Sequence, residues 1–463
     1  MMNTIKDLSP EVIAAFAQTL RGSLVLPEDP VYDETRKIYN GMIDKHPGLF
    51  VMCVDVADVM AAVNFGREND LLIAVRGGGH NGGGLGLCDK GMVIDLSGLK
   101  FVRVNTQDNT VRVGGGNLWG EVDHATHPFG LAVPAGIIST TGVGGLTLGG
   151  GVGHLSRKYG LTIDNLLEAD MVLADGSFVT VNAQHNQDLY WAIRGGGGNF
   201  GIVTSFKFQA HPVKTVFGGP TLWPIEKTQE MMAWYHDFIK NAPDDVNGFF
   251  ATMIIPGPPF PEFLHLKQFC GIVWCYTGDL AQAEKTFAPI LAKKPIFQHV
   301  GEMPYPAIQT LFDGLFPPGL QWYWRGDFFN DLNEKISAQH LKFGSQIPTP
   351  LSQMHVYPIT GAAARVGLEE TPWAYRDAQY SGVIVGVDPD PKNATKITKW
   401  CKDYWEGLHP YSAGGAYSNF MMDDEGQERV KASYGRNYAR LAKIKGQYDP
   451  HNLFKVNQNI KPV

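Results

Sequence analysis

Cysteine is scarce. Cys53, Cys88, Cys270, Cys275 and Cys401 are five residues scattered through 463. An odd, unclustered set argues against a disulfide framework. Cys270 and Cys275 have neither the spacing nor the second pair of a metal knuckle, so no metal site is expected and buried free thiols are. No run of ~18 apolar residues is present to form a membrane helix. The opening stretch, Met1-Met2-Asn3-Thr4-Ile5-Lys6-Asp7, lacks the apolar core of a secretion signal, and a cytoplasmic location is expected. Basic residues are not in excess: 39 Lys and Arg stand against 46 Asp and Glu, a formal charge of −7. General nucleic-acid binding, which needs a basic face, is thereby set aside. Neither an internal repeat nor a long low-complexity linker interrupts the chain.

What the chain has in excess is glycine, 54 residues, where ~7% is usual. The excess is clustered. Arg76-Gly77-Gly78-Gly79-His80-Asn81-Gly82-Gly83-Gly84 follows the apolar run Leu71-Leu72-Ile73-Ala74-Val75, which reads as a buried strand. Glycine has no Cβ, so such a loop lets main-chain N–H groups approach a bulky anionic ligand. Arg76 can add charge there, and His80 a nucleophilic imidazole. Alone, these glycines require no more than a tight loop. A second band runs from Gly136 to His154 and includes Gly142-Val143-Gly144-Gly145 and Gly149-Gly150-Gly151-Val152-Gly153. Its spacing is like that of a dinucleotide loop, but the acidic partner and the parallel strand–helix–strand context are not evident. Its length suits backbone lying along an extended ligand. A third cluster is Gly195-Gly196-Gly197-Gly198-Asn199-Phe200-Gly201-Ile202-Val203.

Patterning divides the chain. Residues 1–212 hold the glycine clusters, with strands expected at 49–54, 71–75 and 92–96, helices at 9–21 and 58–65, and hairpins at 101–113 and 171–181. The second hairpin turns on Asp175-Gly176. Residues 213–412 lose the glycine clusters and gain prolines and aromatics, above all Gln321-Trp322-Tyr323-Trp324-Arg325-Gly326-Asp327-Phe328-Phe329. They read as a separate α+β domain. Residues 413–463 return to patterned sequence, with a strand expected at 414–420 and helices at 428–434 and 438–445.

These segments, together with the tail Tyr448-Asp449-Pro450-x-Asn452-x-Phe454, resemble the berberine-bridge-enzyme-like FAD-linked oxidases of the vanillyl-alcohol-oxidase superfamily. The resemblance covers nearly the whole chain and implies an α+β fold. Its PCMH-type FAD-binding domain is formed by both chain ends, 1–212 and 413–463. Between them is inserted a substrate domain, 213–412, with an antiparallel sheet flanked by helices. It also implies FAD contacts from Arg76, Gly77, Gly78, Gly79, His80, Asn81, Thr141, Gly142, Gly144, Gly145, Gly149, Gly153, Ile202, Val203, Asn457 and Asn459. In that family the loop histidine bonds to the flavin 8α carbon, and His80 matches it. Many members add a cysteinyl link shortly before the Gly-Val-Gly-Gly stretch. Ile138 stands there, so a single tether is implied.

Tyr417 and Asn419 match the family's Tyr-x-Asn pattern, in which the tyrosine is the base. A phenol titrating near ~10 needs help to be one at neutral pH, and Arg325 is the expected helper. Trp322, Tyr323, Trp324, Gln353, Tyr357 and Tyr380 are candidates for the substrate pocket. The expected activity is oxidation of a sugar or secondary-metabolite alcohol, with electrons passing to molecular oxygen to give hydrogen peroxide. A dehydrogenase using another acceptor, an amine oxidase and a non-catalytic flavin-binding protein are the alternatives. The expected assembly is a monomer or homodimer.

Overall fold

The computed structural model describes residues 2–463. Near the N-terminus, Ser23–Val25, Leu49–Met52, Met92–Asp95 and Ile73–Arg76 form a four-stranded sheet in that order. The last three strands are parallel, as a crossover through the helix Val56–Glu68 requires. That helix starts where the Asp55 side chain accepts the Asp58 N–H, a side-chain cap.

A second sheet is antiparallel, ordered Val102–Asn105, Thr110–Gly114, Ile202–Gln209, Leu166–Val172 and Phe178–Asn182. Both expected hairpins are in it. The C-terminal helices Gly426–Tyr434 and Tyr438–Tyr448 pack here, with Val430, Tyr434 and Leu441 in one core with Val113 and Phe206. The two chain ends therefore share a core.

Between them, residues 215–408 build an eight-stranded sheet. Its order is Phe297–Gln298, Thr215–Pro224, Gln268–Tyr276, Val246–Ile254, Gln353–Pro358, Tyr380–Asp388 and Gln321–Phe329, with Gly301–Pro304 pairing off this path. Every pairing is antiparallel. Helices Thr228–Asn241, Glu334–Gly344 and Ala394–Leu408 lie together on one face. The opposite face looks toward the glycine-rich lobes.

One expected strand is missing. Residues 414–420 instead leave the sheet edge and close a 3₁₀ turn at Ser418–Phe420. Gly414 takes φ +94°, a left-handed value that interrupts a strand.

The tail motif is organised by a buried ion pair. The Lys445 ammonium donates to Asp449 at 2.6 Å, to the Asn199 carbonyl at 2.6 Å and to the Phe454 carbonyl at 2.9 Å. The Asp449 carboxylate also accepts the Leu453 and Phe454 N–H groups at 2.7 and 2.9 Å. Asp449 thus pins the tail to the third glycine cluster. Asp449→Ala would strand the Lys445 charge, and the expected loss is about 3–5 kcal/mol, measured by chemical denaturation.

Candidate functional site: a glycine-walled cavity closed by an aromatic sheet

All three glycine runs, the tail and the middle sheet converge on one cavity of about 370 Å³. The strand Ile73–Arg76 delivers the first run. Gly78 and Gly142 meet main chain to main chain: a Cβ on Gly78 would stand 2.5 Å from the Gly142 Cα. Backbone cannot yield as a flexible side chain can. Gly78→Ala is expected to lower flavin content and to cost about 1–3 kcal/mol by overpacking, read from the visible-to-ultraviolet absorbance ratio and the denaturation midpoint.

His80 lines the cavity with its ring stacked on Tyr39, centroids 3.6 Å apart and planes 21° from parallel. Burial pushes its pKa down to about 4, so the imidazole is neutral at pH 7. Its Nε2 is buried without a partner. Tyr39, which the sequence reading passed over, donates its hydroxyl to the Phe316 carbonyl at 3.0 Å. The next residue, Asn40, donates to the Gly82 and Trp322 carbonyls at 2.7 and 3.0 Å and accepts the Trp322 N–H at 3.0 Å. The histidine loop is thereby sewn to the middle sheet. Arg76 lines the cavity too, but its guanidinium is bonded to Asp95 and to the Thr35 carbonyl. Its charge is already matched.

The second glycine band positions Tyr417. Gly151 adopts φ +82°, open to glycine at little cost, and its N–H donates to the Tyr417 hydroxyl oxygen at 2.8 Å. The Asn419 amide donates to the same oxygen at 2.7 Å and to the Gly145 and Leu146 carbonyls at 3.3 and 3.2 Å. Burial raises the Tyr417 pKa, and these two donors oppose that rise by favouring the phenolate. Both lone pairs of the oxygen are occupied, which leaves the O–H for a third group.

Arg325 is not the helper. Side chains alternate along Gln321–Phe329, so Trp322 and Trp324 face the cavity while Tyr323 and Arg325 face the helices. There Arg325 donates to the Tyr323 hydroxyl at 2.9 Å and to Asp424 at 3.1 Å and lies over the Trp405 ring. Tyr323 is therefore no pocket residue. Tyr380 is excluded by the same parity: Val383 and Val385 of its strand line the cavity, while the Tyr380 hydroxyl meets His236 at 2.9 Å. Gln353 and Tyr357 do line it, and between them stands His355, which the sequence reading missed although alternation alone marks it.

Among the FAD contacts expected from the sequence, Gly77, Gly78, Gly79, Asn81, Thr141, Gly142, Gly144, Gly145, Ile202, Val203 and Asn457 line the cavity. Gly149, Gly153 and Asn459 do not. Gly149 backs onto Asn419, Gly153 onto the Ala135 carbonyl, and the Asn459 carbonyl is held by Gln427 at 3.0 Å. Ile137 and Ile138 both line the cavity, and among the described residues no cysteine does.

The residues present suit FAD. Glycine runs that a Cβ would fill make a long main-chain cradle, and the orphaned His80 Nε2 and Asn457 Oδ1 face no protein partner. Fold and cavity define a PCMH-type, FAD-dependent oxidoreductase. An "FAD binding domain" profile matches residues 47–182, and a "Berberine and berberine like" profile matches 416–461. An FAD-linked oxidoreductase of Dictyostelium discoideum is 32% identical over 460 residues, 98% of this chain and 97% of that one. (R)-6-hydroxynicotine oxidase of Paenarthrobacter nicotinovorans is 27% identical, over 96% of this chain and 97% of its own. The solved structure of a berberine-bridge-enzyme-like protein, BBE-like 1 of Physcomitrella patens, superposes with a TM-score of 0.85 at 25% identity, covering 97% of this chain and 99% of that chain. The chain belongs to the berberine-bridge-enzyme-like family of FAD-linked oxidoreductases.

Proposed function

We propose that this protein is an oxidase that converts an alcohol carbon to a carbonyl, passing electrons to molecular oxygen, with FAD tethered through His80 alone. The observation that carries the activity is the buried Tyr417 hydroxyl, which accepts Gly151 N–H at 2.8 Å and the Asn419 amide at 2.7 Å. Once its own proton has left, the phenolate so held can take the substrate's hydroxyl proton, because both donors stabilise that base form. Bound FAD supplies the two-electron acceptor for hydride from the donor carbon and yields those electrons to dioxygen. The protein's share is to hold the donor carbon and the base in register, and orientation carries much of the rate.

Support for the tether comes from the neutral, partnerless imidazole of His80 stacked on Tyr39. Ile138, where a second link would need a thiol, supports its being single. The test is peroxide release in an alcohol screen of the purified yellow protein. Turnover with an artificial acceptor, without peroxide and without reoxidation in air within seconds, would establish instead the dehydrogenase reading.

A further inference from the structure

On this reading of the site, we propose that the substrate is an uncharged, flat aromatic alcohol, neither a sugar nor a cationic amine, and that His355 is the residue that sets this choice. The substrate end of the cavity is walled by the middle sheet, whose register places its side chains in rows. Trp324 lies opposite Val385, which lies opposite Gln353, and the next row brings Val383 against His355. One side of this wall is therefore indole and valine, and the other carries the polar strand Gln353–Pro358.

Charge is absent from this lining. Among the described residues, no Asp, Glu or Lys lines the cavity, and the Arg76 guanidinium is bonded to Asp95. The His355 ring is buried, meets the Tyr357 hydroxyl through Nδ1 at 2.8 Å and packs against Phe249 at 4.9 Å between centroids. Burial pushes its pKa down to about 3, so it adds no positive charge near neutrality. A protonated amine entering here would lose its water and find no counter-charge. A disaccharide would bury many hydroxyls against two indole N–H groups and three polar side chains of the sheet, two of the latter already bonded to each other. A ring system stacks on the indoles and needs one or two hydrogen bonds, which Gln353 and the His355–Tyr357 pair can provide. In the reaction the alcohol gives up one C–H and one O–H bond and becomes a carbonyl. The two electrons and two protons end on dioxygen as hydrogen peroxide.

The experiment compares 2-naphthalenemethanol, 2-naphthalenemethylamine and cellobiose on the holoenzyme, measuring dissociation constants by thermal shift and flavin reduction anaerobically. The aromatic alcohol is expected to be favoured about 100-fold over both others in reduction rate per dissociation constant. His355→Asp, which places a carboxylate in the same wall, is expected to move the amine-to-alcohol binding ratio at least ~10-fold toward the amine. Should that variant not fold, half-buried Gln353→Glu carries the same charge and the same expectation. Cellobiose equalling the aromatic alcohol would overturn the substrate class alone, and an unchanged binding ratio in the folded variant would overturn the role of His355. Flavin reduction by the amine and by no alcohol would overturn the alcohol reading itself, and this proposal with it.

Discussion

Replacing Tyr417 with phenylalanine is expected to slow flavin reduction by about 10²–10⁴-fold, the usual contribution of a positioned general base. The reason lies in what the substitution spares. A phenylalanine ring at this position would stay packed edge-on against Trp373 and Phe420, where the tyrosine ring lies at 6.3 and 4.8 Å between centroids. Fold and flavin content should therefore survive. What is lost is the oxygen that accepts from Gly151 and Asn419. The same argument fixes a pH dependence. Burial raises the phenol's pKa above the ordinary tyrosine range, so the base form is a minority at neutral pH and gains about tenfold per pH unit below that value. The reduction rate should climb with pH in the wild type, and the slope should vanish in Tyr417→Phe. Anaerobic stopped-flow spectrophotometry reads both. A variant reducing at the wild-type rate would remove Tyr417 from the chemistry. Asn419→Ala, which removes one phenolate donor, should give a smaller loss in the same direction.

The second large effect is expected at His80. His80→Ala should release all flavin into the supernatant on acid precipitation, where the wild type gives a yellow pellet. A colourless wild-type pellet would refute the tether while leaving the FAD fold intact. Attachment withdraws electron density from the ring, so the variant's midpoint potential should fall. Each 30 mV corresponds to about 1.4 kcal/mol for a two-electron couple, and slower reduction by substrate should follow. Tyr39→Leu, which removes the ring stacked on the imidazole, should slow tether formation without abolishing it, followed as acid-stable flavin against time.

Much of the site is legible in the sequence because it is written in glycine. Gly78 and Gly142 touch main chain to main chain, a contact only one residue type allows, so its need shows in composition. The tail was legible for a similar local reason: Asp449 bonds N–H groups four and five residues on and an ammonium four residues back. His80, Tyr417 and Asn419 were found through a family pattern, and their partners were not. Gly151 N–H reaches Tyr417 across 266 residues of chain, and nothing local to either announces the other. The strand expected over 414–420 failed because its alternation reflects two side chains turned to one glycine band, not pairing with a neighbour.

By itself, then, the sequence determined that glycine-rich backbone from three places must approach an extended cofactor and that the two chain ends bracket a different middle domain. It also determined that a histidine and a tyrosine are available for the chemistry. Only the tertiary structure decided which face of the aromatic strand meets the cavity. Eight of the nine residues of Gln321–Phe329 are buried, and both faces are covered, one by helices and one by the flavin-binding lobe. With no solvent-exposed face there is no polar alternation to read. Docking of the lobes set the parity that brings Trp322 and Trp324 to the cavity and turns Tyr323 and Arg325 away.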